Sequence, residues 1–161
     1  MTKIAKISLI VITALLLQVT LFPAYLLDPF QPNLLIIIVA YLGLRKASRL
    51  GAPAAFLLGL LQDCFSGLYL GLNGFSCLFI YLLLEKISDR LYTDNRYLII
   101  LVVFLATILS GLLNLLLLLM FSASRGIYAS LLPALIPQAL VNALAASILF
   151  ASPPAPTEDT R

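Results

Sequence analysis

One carboxylate in apolar surroundings is the residue of this chain best placed to do chemistry. Asp63 stands in the stretch Leu60-Leu-Gln-Asp-Cys-Phe-Ser-Gly-Leu-Tyr-Leu-Gly-Leu-Asn-Gly74, beside Gln62 and close to Ser66, Gly67, Gly71 and Asn73. An ionisable group between lipid-grade segments is costly and marks a functional site by default. The chemistries open to it are few. Hydrolysis or group transfer needs a nucleophile with a base, paired carboxylates or a metal cage, and here a single carboxylate stands alone. A proton relay chains several acids or histidines, and the sequence has no histidine. Cys64 and Cys77 fall short of the three or four ligands of a metal site. Their different depths disfavour a disulfide, and they read as small apolar filler. The expectation is therefore no enzyme, no cofactor and no metal. Two compatible roles remain for Asp63. It accepts hydrogen bonds from the start of the helix that follows, with Gly67 and Gly71 letting the turn close, or it contacts a partner or ligand.

The elements that must position this stretch are membrane helices. Hydrophobic residues fill 62% of the 161 positions, against ten basic and seven acidic ones, whereas soluble domains are about half apolar and a quarter charged. Several runs approach or exceed the roughly 18 residues of a membrane span. Six helices of about 20 residues occupy about 120 positions, which leaves loops and a tail but no soluble domain. The net charge of +3 comes from bases flanking the spans and not from nucleic-acid binding. The expectation is an all-α polytopic domain over residues 1–150, with six transmembrane helices near 6–22, 32–46, 50–64, 68–85, 97–121 and 131–150. Residues 151–161 form a polar, proline-rich cytoplasmic tail with too little apolar surface to fold.

Along the chain, Lys3 and Lys6 precede an apolar run from Ile7 to Phe22. A signal peptide competes for this pattern, but the run is longer than a signal core and no small-residue cleavage site follows, so it reads as a retained span. Pro23 to Pro32 is a connector that cannot continue a helix. Asn33 to Leu44 rises only about 18 Å, short of a hydrocarbon core of about 30 Å. That helix must borrow its flanks, thin the bilayer or lie largely within protein. In the third segment Gly51, Ala55 and Gly59 recur every four residues, lining a face that lets backbones approach. The third and fourth segments form a hairpin whose tip is the Asp63 stretch; a re-entrant pair is the alternative. Glu85 to Arg96 is a charged surface loop. Thr107, Ser110, Gly111 and Asn114 share one face of the fifth segment. Gln138, Asn142, Ala145 and Ala146 of the last span, which also carries Pro133 and Pro137, form the face that answers it.

With a cytoplasmic start, nine of the ten bases lie inside, including the anchors Arg45, Lys46 and Arg49, and only Arg125 lies outside. This satisfies the positive-inside rule. Both termini are expected in the cytoplasm, with Asp63 toward the outer face.

These residues resemble a known family. The series Pro32-Asn-Leu-Leu, an apolar helix, Tyr41-Leu-Gly-Leu-Arg45, Gly51 opening the next helix, and Gly59-Leu-Leu-Gln-Asp63-x-x-Ser66-Gly67-x-x-x-Gly71-Leu-Asn73 is similar to rod shape-determining protein MreD, a small bacterial inner-membrane protein. The resemblance covers residues 30 to 90 in motif and the whole chain in length and span count. It departs at Gln62, where an apolar residue is common. It implies a non-enzymatic component of the Rod complex, or elongasome, that binds MreC. Such a component helps couple MreB filaments to RodA and a penicillin-binding transpeptidase in peptidoglycan synthesis. It also implies a fold similar to the substrate-binding subunits of energy-coupling-factor vitamin transporters. Membership of that transporter class is the rival reading. It requires a pocket at the outer face lined by several polar or aromatic groups, of which the sequence offers few, and it has no tryptophan.

Overall fold

A run that is apolar all round must be covered by protein or by lipid, and Leu34–Leu44 is such a run. The computed structural model describes residues 3–27, 30–44, 50–66, 69–88, 96–121 and 127–150, and it buries this helix at the centre. Of the three outcomes open to a helix this short, it lies within protein. Leu35, Ile36, Ile37, Val39, Ala40, Gly43 and Leu44 of this helix, α2 (Leu34–Leu44), are all buried. Around it stand α1 (Lys3–Leu16), α3 (Gly51–Ser66), α4 (Leu72–Ser88), α5 (Arg96–Phe121) and α6 (Ile127–Leu149), and α2 touches every one of them. The described residues are all-helical, with no strand among them. Two segments, Tyr97–Phe121 and Leu132–Leu149, are long and apolar enough to cross a membrane.

The tightest pairs are α3 with α4 and α5 with α6. The α3 face that carries Gly51, Ala55, Gly59 and Asp63 is buried. At Gly59 an added Cβ would collide with the backbone oxygen of Asn73, so the two backbones meet there with no room for a side chain. Gly51 sits under the Tyr81 ring at the other end of the same pair. In the second pair, Gly111 is covered by Leu135.

Three expectations are corrected, and the first is the start of the fourth span, which is helical from Leu72 and not from near residue 68. The proline-rich connector does not begin at Pro23: after α1 the chain passes through a π-helical turn, Leu17–Leu21, into a last α-turn, Phe22–Tyr25. Proline enters the first turn of a helix without loss because its missing N–H has no helical acceptor there, and the π turn resets the register so that Pro23 occupies such a position. The charged loop also starts later than Glu85, since α4 runs on to Ser88. Its last turn is held by Tyr81 Oη donating to Glu85 Oε1 at 3.4 Å and Ser88 Oγ donating to the Glu85 carbonyl at 2.7 Å. Gly67, the anchors Arg45, Lys46 and Arg49, and the tail 151–161 lie outside the described residues.

Candidate functional site

The site is built where α3 ends and α4 begins. Asp63 lies on the last turn of α3, 4% exposed, and its two oxygens face the first turn of α4. Oδ2 accepts from the backbone N–H of Gly71 at 2.8 Å and of Gly74 at 3.1 Å. Oδ1 accepts from the backbone N–H of Asn73 at 3.0 Å and from its side-chain Nδ2 at 2.9 Å. The first N–H groups of a helix have no partner within it and carry its positive end. A carboxylate from the preceding helix therefore caps α4 across the turn. The turn itself needs Gly71, whose φ of 98° is a left-handed conformation that other residues adopt only with strain. Ser66 is peripheral, its Oγ donating at 3.2 Å to the Asp63 carbonyl.

The polar contact then spreads across the bundle with a fixed direction. Asn73 gives its amide hydrogens to Asp63, so its oxygen is left to accept from Asn114 Nδ2 of α5 at 2.7 Å. The Asn114 oxygen in turn accepts from Ser76 Oγ of α4. Each amide is thus oriented by its neighbour. A second chain joins the remaining helices. Asn142 of α6 donates to Thr107 Oγ1 of α5 at 3.0 Å, which donates to the Val103 carbonyl at 2.8 Å. The Asn142 oxygen accepts from the backbone N–H of Asn33 at 2.7 Å. Asn33 caps α2 by accepting from Ile36 N at 3.2 Å and reaches Gln18 Nε2 of the π turn at 3.4 Å.

The polar stripe of α5 therefore divides. Thr107 answers Asn142, as its face leads one to expect, but Asn114 turns to α4. Ser110 and Gln138 bridge nothing. With Gln62, Gln18, Asn33 and Asn73 they line a cavity of about 540 Å3 at the Asp63 end of the bundle. Sequence inspection finds too few polar groups for such a pocket because they arrive one to three at a time from six segments of the chain. Gln18 and Asn33 are the residues it misses. The available signal is an amide inside the first apolar run and another just before the second, which most often read as interruptions.

Chemically the site is a set of hydrogen bonds already made. The Asp63 carboxylate hydrogen-bonds only to backbone N–H groups and to the Asn73 amide among the described residues, and no cluster of three His, Cys, Asp or Glu side chains able to hold a metal occurs among them. Cys64 is exposed and Cys77 buried, both as free thiols.

The family model of MreD, rod shape-determining protein MreD, matches residues 2–152. No curated protein and no solved structure matches the chain.

Proposed function

The chain belongs to the family of rod shape-determining protein MreD, a family of membrane proteins with a role in cell shape, and on that premise we propose a specific place for it. It is a non-enzymatic scaffold of the bacterial inner membrane with six spans and both termini cytoplasmic. It binds MreC directly and sits with MreB, RodA and a penicillin-binding transpeptidase in the complex that builds lateral peptidoglycan. The observation that carries this reading is the state of Asp63, a costly buried carboxylate whose hydrogen-bonding capacity goes entirely into holding two helices in register. A group used in that way supports a shape and not a reaction.

Because Asp63 is buried, a partner would meet the surface that it shapes. The hairpin tip exposes Phe65, Tyr69 and Leu70, and α4 continues the patch with Phe75 and Phe79. Aromatic side chains are enriched where partners dock. We assign MreC contact to this patch, and the basic inner turn at Arg45, Lys46 and Arg49 to anionic lipid headgroups. Pull-down of tagged protein from solubilised membranes tests the first assignment. Parent protein should recover MreC, and Phe65→Ala with Tyr69→Ala should lower recovery by about tenfold, the effect of losing roughly 1.4 kcal/mol of contact, at an unchanged thermal midpoint. Absence of MreC from the parent pull-down, together with rod shape maintained after deletion of the gene, would sink the proposal. The rival reading, a vitamin-binding transporter subunit, is favoured by the cavity alone.

A further inference from the structure

The cavity beside the hairpin is built from the π turn after α1, the starts of α2 and α4, the end of α3 and the facing halves of α5 and α6. At about 540 Å3 it falls inside the roughly 300–1,000 Å3 of small-molecule sites. Two features of its wall narrow the occupant. Among the described residues no charged side chain lines it, and Asp63, which is not part of the wall, already accepts four hydrogen bonds. The wall also holds hydrogen-bonding groups with no protein partner. Gln62, Ser110 and Gln138 make no hydrogen bond among the described residues, and the buried Gln18 Oε1 has none either. Buried polar atoms in folded proteins nearly always find a partner. Gln18 further belongs to the π-helical turn Leu17–Leu21, a geometry frequent at functional sites.

We propose that this cavity binds a small uncharged molecule bearing several hydroxyl or amide groups. Glutamine amides both donate and accept, which suits neutral groups that do the same, whereas an ion would find no countercharge among the described wall residues. Leu72, Leu115 and Leu135 offer apolar surface for the ligand's carbon skeleton. A free polyol and the sugar headgroup of a neutral glycolipid carry the same chemistry. The proposal stands on the wall of the cavity and is independent of the MreC assignment.

Full-length protein in detergent, titrated with myo-inositol and with a galactosyl diacylglycerol, tests it by native mass spectrometry and thermal midpoint. Inositol 1-phosphate and phosphatidylglycerol serve as the charged counterparts. At least one uncharged probe should form an adduct and raise the midpoint. Gln138→Leu, which removes an amide that holds nothing in the protein, should weaken that binding by about tenfold, the effect of one lost hydrogen bond. Ala134→Phe, which fills the cavity, should abolish it. Binding of the galactolipid alone assigns the site to a headgroup, and binding of inositol alone assigns it to a solute. The proposal is overturned if neither uncharged probe binds, if the charged counterparts bind equally well, or if Gln138→Leu binds like the parent.

Discussion

At Asp63 four donors converge on two oxygens, and three of those donors are backbone N–H groups that nothing else in the turn can pair. Removing the acceptor leaves them buried and unpaired at about 1–3 kcal/mol each. Asp63→Ala is therefore expected to destabilise the protein by about 3 kcal/mol or more, a fall of about 6–12 °C in thermal midpoint for a chain of this size. Asp63→Asn keeps one acceptor oxygen but turns an amide nitrogen toward backbone donors, and should fall between Ala and parent. Midpoints of the purified variants in detergent check the order, and an Ala variant as stable as the parent would refute the cap. The same logic makes Asn142 a structural residue: both ends of its amide are used, one on Thr107 and one on the start of α2.

Between elements, closeness is set by glycines whose neighbours differ in whether they can move. The atom in the way of a Cβ at Gly59 is the Asn73 backbone oxygen, while at Gly111 it is the tip of the Leu135 side chain. Backbone in a capped helix start cannot retreat without breaking the Asp63 contacts, whereas a leucine tip rotates. Gly59→Ala should thus cost about 3 kcal/mol, at the upper end of overpacking effects. Gly111→Ala should stay within about 1 kcal/mol of the parent, because the gain in helix propensity offsets the repacking. Comparison of the two thermal midpoints decides it, and equal losses would show that the α3–α4 contact is no tighter than α5–α6. Element ends were less legible than element existence. Apolar periodicity locates the helices, but the π turn before Pro23 and the late start of α4 at Leu72 depend on hydrogen bonds that a linear pattern does not contain.

At the scale of the whole molecule, the proposed topology places the turn at 45–49 in the cytoplasm and the connector at 122–126 outside. In a Cys64→Ser background, an impermeant maleimide should label Ser124→Cys in intact cells and Ser48→Cys only after lysis. The reverse pattern would invert the bundle, and labelling of both from one side would break the six-span count. Charge segregation along the chain carries this prediction, because bases cross a bilayer with difficulty wherever the intervening helices pack.

The sequence contained the all-helical class, the family motif and the stretch around Asp63, since each follows from composition, local spacing or a contiguous run. The hairpin could be read for the same reason: Asp63 and Asn73 are only ten residues apart. Tertiary structure decided which helix lies at the centre, that Asn114 joins α4 while Asn142 joins α5 and α2, and that polar residues from six segments surround one cavity. The hydrogen bond from Asn33 to Asn142, 109 residues apart, depends on the relative rotation and height of whole helices. Those are fixed by packing around α2, whose own sequence, apolar on every side, carries no mark of what it will touch.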